Sequence, residues 1–560
     1  MRLLSALYSI VPPAFAFVAA LPCPALAQWQ PNGAPACASP HVQTGVRSVS
    51  DGAGGAIVTW ADRRSGNGDV YAQRLSQAGE PMWGSDGNPV CIVRGDQVPL
   101  AAVSDGAGGI IIVWHDYRCG SSVFAQRIDA AGRILWEPGG VALANSAEWQ
   151  VDPVGTSDGR GGLIAVWLDG RGGNYAQRID AGGHPRWGSA GVTAGRGYVT
   201  SIAADGSGGA MFALTDPGNL YSSIVAQRVD STGASLWPGG VTVLGIPVAG
   251  VYADAAVLIS DGDGGALLAW EDIRAGNYYH VFAQRLGPTG NAEWTPNGVA
   301  LCSANGNQFS PQIASDGAQG ALIVWQDGRS GTGADIYARR VAANGDSLWQ
   351  TFGVAVCTAP ATQSGVSVVT DGAGGAIVSW QDNRGADADI YAQRFNGAGQ
   401  MLWQTNGVAL CTASGDQTFP QLISDGQGGA VAAWNDARPS AAEPRVYAQR
   451  VDASGSVPGT LGVPTTSGAF RVSAAIPNPA RVRAAVEFAL PEAADVSADV
   501  LDLTGRRIRS LAVRQHLPAG THRLAWDVRD ARGAPVPTGL YFVRVGAGAA
   551  EGYCKVVISR

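Results

Sequence analysis

The sequence is poor in charge: only 15% of its 560 residues are Asp, Glu, Lys or Arg, the net charge is −7, and no cluster of Lys and Arg stands out. Without a basic patch there is no electrostatic footprint for nucleic acid, which argues against that class of partner. Cysteine is also sparse. Of the eight, Cys23 falls in an N-terminal leader, and the remaining seven are an odd number spread too thinly for a disulfide framework. No segment after the leader is apolar over the ~20 residues a membrane helix needs. Gly-x-Ser-x-Gly, His-Glu-x-x-His and a phosphate-binding loop are all missing, so none of the chemistries they mark is indicated.

The first residues, MRLLSALYSIVPPAFAFVAALPCPALA, carry an early Arg2, an apolar middle and a small-x-small end at Ala25-Leu26-Ala27. They are expected to form a signal peptide over residues 1–27, cleaved before Gln28. The rest holds 78 Gly and 17 Trp, a composition of many short strands and tight turns.

A repeat sets the architecture. The Asp-Gly turn at Asp51 returns at Asp105, Asp158, Asp205, Asp261, Asp316, Asp371 and Asp425, at intervals of 47 to 56 residues. Unit seven contains SVVT, AIVSW, IYAQRF and a fourth apolar stretch around Leu402 to Cys411, separated by DGAGG, a polar loop and NGAG. Four such strands make one antiparallel sheet, and eight sheets predict an all-β, eight-bladed β-propeller over residues 28–460. The eighth unit lacks a fourth strand, and QWQPNGAPACA at the N-terminus supplies its equivalent, with Trp29, Gly33 and Cys37 matching Trp403, Gly407 and Cys411. Pairing the two ends closes the ring and removes free edges.

Residues present in nearly every blade are best explained by packing. Second strands end in Trp-x-Asp-x-Arg, as at Asp62 and Arg64, Asp116 and Arg118, Asp327 and Arg329, and Asp382 and Arg384, and a bidentate ion pair at each is expected to fix the loop. Cys37, Cys91, Cys302, Cys357 and Cys411 share one blade position and are expected to be small buried side chains. Acidic loops repeated on one face also raise calcium, but their intervals match neither an EF-hand nor a Gly-Gly-x-Gly-x-Asp array, so no cofactor and no metal site is expected.

Function is sought where the pattern breaks. His115 and Tyr117 in blade 2 and Tyr278, Tyr279 and His280 in blade 5 lie in or beside loops between second and third strands, where aromatics can stack on sugars or a partner surface. SDGAGGAIVTWADRR resembles the repeats of sialidase-like propellers, with Asp and Trp displaced from the usual Asp box; IDAAGRILW and VDSTGASLW resemble the repeats of eight-bladed quinoprotein dehydrogenases, whose adjacent Cys-Cys pair is missing. A sialidase requires an arginine cluster, a Tyr with a Glu, and an Asp, and no blade-specific set of that kind stands out. No catalytic residues are assigned. The expectation is a non-enzymatic binding or adhesion scaffold for a glycan or protein ligand, with a secreted carbohydrate-active hydrolase or lyase as the alternative.

After a linker at 461–468, residues 469–560 read as an immunoglobulin-like sandwich. Pro477-Asn478-Pro479, Asp502 with Gly505 and Arg506, Trp526-Asp527, Gly539 with Tyr541, and Lys555 resemble, in that order, the C-terminal sorting domain of the type IX secretion system and the related domain of flagellar hook-capping proteins. The resemblance implies type IX secretion machinery as a partner, and a secreted protein or one displayed on the outer-membrane surface of a Gram-negative-type bacterium.

Overall fold

The protein is described here in a computed structural model covering residues 29–216, 222–245, 252–274, 276–438, 440–458, 471–472, 480–490, 493–518, 520–548 and 550–559. The expected signal peptide, the expected linker, Pro477-Asn478-Pro479 and residues 217–221 of blade 4 lie outside them. The chain divides into two compact units, residues 1–460 and 461–560.

The first unit is a β-propeller of eight four-stranded antiparallel sheets. Blade 1 runs from an inner strand, Gln43–Ser50, through Ala56–Asp62 and Asp69–Leu75 to an outer strand, Asn88–Cys91. The inner strands of blades 2 to 8 begin at Gln97, Gln150, Tyr198, Ala253, Gln308, Gln363 and Gln417. Each inner strand lies against the next, and that of blade 8 against that of blade 1. Second strands such as AIVTWAD are buried at every residue because a neighbouring sheet covers each face, which is why they read as unbroken apolar runs rather than alternating ones. The outer strand of blade 7 is shorter than its apolar stretch, Val408–Cys411, with residues 401–407 forming the approach turn.

The Asp-Gly turn is built by its first side chain. Asp51 Oδ1 accepts the amides of Ala53 and Gly55, both at 2.8 Å. A Cβ on Gly55 would sit 2.2 Å from the Leu75 carbonyl oxygen, so only glycine fits there.

The ring closes through residues 29–37. Ala34 and Pro35 pair with Ala448 and Tyr447, and Arg438 Nη2 donates to the Asn32 carbonyl at 2.6 Å. The blade 8 sheet therefore contains strands from both ends of the unit.

Eight outer tryptophans staple neighbouring blades. Each donates its indole N–H to a backbone oxygen in the next blade's NGAG-type turn, at 2.9–3.2 Å, from Trp29 to Gln77 round to Trp403 to Ala453. The turn glycine lies flat on the indole: a Cβ on Gly79 would fall 2.7 Å from Trp29.

The second unit packs a three-stranded sheet (Arg471–Val472, Ala484–Leu490, Gly520–Trp526) on a four-stranded one (Arg507–Leu517, Ala494–Leu501, Gly539–Ala547, Ala550–Ile558). Phe488, Val500, Trp526, Tyr541 and Val556 fill the space between them, with Cys554 buried at its margin.

Candidate functional site

The repeated polar residues form two ladders. In the first, Arg64 donates through Nε and Nη2 to both oxygens of Asp62, at 2.8 and 2.7 Å, while Trp60 Nε1 reaches the same carboxylate at 2.9 Å. Seven blades repeat this pair at 2.5–2.7 Å, among them Asp116 with Arg118, Asp327 with Arg329 and Asp382 with Arg384. The guanidinium stacks on a third-strand aromatic, Arg64 lying 4.0 Å from the Tyr71 ring centre and Arg384 3.9 Å from Tyr391. Burial works to raise the Asp62 carboxyl, but the bonds from Arg64 and Trp60 outweigh it and hold the group below its ordinary range.

The second ladder joins the Asp of each Asp-Gly turn to the Arg of the third strand, from Asp51 with Arg74 to Asp425 with Arg450, in all eight blades at 2.7–3.0 Å. Where both are present, the two ladders cap opposite ends of the sheet. Their regular repetition gives them a structural role.

Five thiols complete the first ladder, with Cys37, Cys91, Cys302, Cys357 and Cys411 each 3.1–3.3 Å from an Arg Nη2 of the following blade. Burial pushes Cys91 and Cys411 up to about 12, so they are neutral thiols. All seven described cysteines are free, and only Cys119 is exposed.

In an antiparallel blade the start of the inner strand, the end of the second, the start of the third and the end of the outer strand share one face. That face carries the departures from the repeat. Tyr117 is exposed in a blade 2 loop and Tyr278 in a blade 5 loop, whereas Tyr279 is partly covered and both histidines are buried. His115 Nε2 contacts Ser121 Oγ at 2.6 Å and its ring lies 4.3 Å from that of Tyr117; His280 Nδ1 donates to Gln308 Oε1 at 2.6 Å. His115 is satisfied within blade 2 and His280 at the seam with blade 6, rather than as surface groups.

The same face presents four further aromatics that the loop-centred sequence reading passed over: Trp149, Tyr198, Tyr252 and Phe419 are 48%, 57%, 49% and 65% exposed. Each stands within three residues of an inner-strand start, the signal that locates them. Tyr117, Trp149, Tyr198, Tyr252 and Tyr278 thus follow one another from blade 2 to blade 5. The opposite face exposes aliphatic side chains instead, including Met82, Leu135, Leu236, Leu348 and Leu402.

Glu271 occupies the middle of a Trp-x-Asp motif where other blades carry Ala61, His115, Leu168, Gln326, Gln381 or Asn435. It stands opposite Asp254 on the inner strand and accepts the Ser310 amide from blade 6. Burial pushes its carboxyl up to about 7; the Ser310 bond opposes the shift and Asp254 adds to it. Among the described residues no group of three or more His, Cys, Asp or Glu is placed to hold a metal, and no helix is long and apolar enough to cross a membrane.

In the second unit the motif residues shape turns. Asp502 Oδ1 accepts the amides of Thr504 and Arg506, Gly505 adopts φ 79°, and the Arg506 side chain returns to Asp502 at 3.0 Å. Trp526 donates to the Arg529 carbonyl, Asp527 pairs with Arg509 at 2.7 Å, and Tyr541 donates to the Pro537 carbonyl. Gly539 and Lys555 lie on the adjacent strands Gly539–Ala547 and Ala550–Ile558.

Residues 473–551 match the FlgD Ig-like domain. No curated protein matches the chain. Among solved structures, the chain is similar to a puromycin hydrolase (18% identity, TM-score 0.41, 73% of this chain and 62% of that one). It is similar also to dipeptidyl peptidase 4 of Porphyromonas gingivalis (12%, 0.42, 81% and 65%) and to an α-L-arabinanase of Penicillium chrysogenum (13%, 0.32, 56% and 97%). The chain spans less than two thirds of the puromycin hydrolase and dipeptidyl peptidase chains.

Proposed function

We propose that the propeller is a secreted or surface-displayed binding and adhesion module that takes a polysaccharide or glycoprotein glycan on the face bearing Tyr117, Trp149, Tyr198, Tyr252 and Tyr278. The observation that carries this reading is the run of exposed aromatics from blade 2 to blade 5 on one end of the sheets. An aromatic ring offers a flat apolar surface to the C–H face of a sugar while leaving its hydroxyls in water, and tyrosine adds a polar tip. Several such platforms in sequence suit an extended chain better than a small molecule. The Ig-like unit serves export through the outer membrane and attachment, by its likeness in motif to sorting domains.

A second reading is a carbohydrate-active hydrolase, favoured by Glu271, a carboxyl confined to one blade and held near neutrality. Incubating the protein with polysaccharides and glycoproteins, and scoring retention and released product separately, tests both. Retention without product supports the binding module; product overturns it. Export is tested by fusing residues 1–27 and 469–560 to a reporter in a host with type IX secretion, where periplasmic retention counts against the sorting role.

A further inference from the structure

The seams between blades carry a glutamine at the start of most inner strands: Gln97, Gln308, Gln363 and Gln417 are buried completely. Each amide nitrogen is committed to carbonyls of its own connector. Gln97 Nε2 donates to Gly95 at 2.8 Å, Gln308 Nε2 to Gly306 at 2.7 Å, Gln363 Nε2 to Ala359 at 3.2 Å, and Gln417 Nε2 to Ala413 at 3.2 Å. Those bonds fix the amide orientation, because flipping it would set oxygen against oxygen. The side-chain oxygen is therefore turned toward the preceding blade.

In the blade 5 seam it meets the first residue of that blade's third strand, the residue paired with the Trp-x-Asp aspartate, whereas Gln150 and Gln43 accept the amides of the second residue, Val123 and Val446. In blade 5 this is His280, paired with Asp272, and its Nδ1–H supplies Gln308 Oε1 with a donor. The equivalent residues in blades 1, 6 and 7 are Asp69, Asp335 and Asp389, paired with Asp62, Asp327 and Asp382. All three aspartates are buried. In these seams the oxygens of Gln97, Gln363 and Gln417 have no hydrogen-bond partner, and neither has Asp69 Oδ1. A buried acceptor left unpaired costs ~1–3 kcal/mol, and two acceptors facing one another need a shared proton.

We infer that Asp69, Asp335 and Asp389 are held as neutral carboxylic acids, each donating its proton to the glutamine oxygen of the next blade, so that three seams of the ring are proton-linked. Burial and the neighbouring aspartates favour this, while the Ser65 and Ser330 hydroxyls, the Val93 amide, Arg329 and Arg384 oppose it. Asp69 accepts the Ser65 hydroxyl and faces Asp62 and Asp96, with Asp62 already neutralised by Arg64 and Asp96 3.9 Å from Arg63. Asp335 faces Ser330 and the Asp327–Arg329 pair. Asp389 faces Asp387 and the Asp382–Arg384 pair, while Asp387 and Asp416 cap the amides of Gly415 and Ala388. Burial raises all three carboxyls, Asp389 to about 6, and neighbouring aspartates add to it.

The sign follows from linkage. An unfolded aspartate loses its proton near ~3.9, whereas the folded one keeps it to higher pH, so these seams are strongest in acid and weaken as pH rises. Asp389→Asn offers a permanent N–H donor of the same shape. In the full chain, its melting temperature is expected to match the wild type near about pH 4 and to exceed it by about 2 °C at about pH 7.5. Asp335→Asn and Asp69→Asn should add to it, each removing part of the pH dependence. An Asn variant that unfolds, or differs from wild type equally at both pH values, overturns the inference. So does a wild type stabilised by sodium or calcium chloride where the variant is not, which would put a cation in place of the proton.

Discussion

The indole N–H of Trp29 donates to the backbone oxygen of Gln77 at 3.0 Å, joining the first described residue of the chain to a turn of blade 1. Trp29 belongs to the segment that completes blade 8, so this bond closes the seam between the last blade and the first. Trp29→Ala removes a buried indole and this bond, and is expected to cost about 3–5 kcal/mol. Deleting residues 28–46 should lower thermal stability further, and an unchanged melting temperature in either variant would count against closure by the N-terminal strand.

Asp62 accepts Trp60 Nε1, the Arg64 amide and two bonds from the Arg64 guanidinium. Asp62→Asn leaves the shape but replaces an acceptor pair with one acceptor and one donor facing Arg64. It should destabilise the ring by about 2 kcal/mol or more, read from chemical denaturation. Because the folded carboxyl is held low, the stabilisation it gives is present above the unfolded pKa and is lost as pH falls through the folded one. The penalty of Asp62→Asn should therefore shrink in strong acid.

Reading the repeat from the sequence was possible because eight copies of one pattern average out local accidents. The Trp-x-Asp-x-Arg pairs share one strand end, so their spacing carried their partnership. The second ladder was less legible: Asp51 and Arg74 are 23 residues apart and meet only because the second and third strands fold back as a hairpin. His115 and His280 read as loop residues like Tyr117 and Tyr278, since polarity alone does not tell a surface imidazole from one satisfied inside a seam. Glu271 was hidden at the variable position of a motif found in seven blades. Its significance depends on Asp254 and Ser310, which strand register and blade packing supply.

Thiol reactivity should separate one cysteine from the rest. Burial raises Cys91 and Cys411 to about 12 and Cys357 and Cys554 to about 11, whereas Cys119 is exposed in a blade 2 loop. Brief treatment of the folded protein with a maleimide is expected to label Cys119 and leave the other described cysteines free until denaturant is added, as read by peptide mass spectrometry. Labelling of Cys91 in the native protein would show that its seam opens.

Glu271 predicts a pH effect local to blades 5 and 6. Its folded carboxyl is raised to about 7, chiefly by burial, against ~4.3 unfolded, so its contribution is present in acid and lost as pH rises through neutrality. Glu271→Gln should be more stable than wild type at about pH 8 and indistinguishable near about pH 4. If the site hydrolyses a glycan, the same variant abolishes product at every pH; if the site binds, retention survives.

Binding through the aromatic face should decline in steps. Tyr252 and Tyr278 flank the same blade 5 loop, with Tyr252 accepting the Ile273 amide through its carbonyl, so their rings can act as adjoining platforms without holding the fold. Tyr252→Ala, Tyr278→Ala and Trp149→Ala are each expected to weaken polysaccharide retention by about 1 kcal/mol, or roughly five-fold, with little change in melting temperature. Leu236→Ala and Leu402→Ala on the opposite face provide the control, since they remove exposed apolar surface of similar kind. Equal losses from both faces would mean non-specific adsorption, whereas losses confined to blades 2 to 5 would place the ligand across that half of the ring.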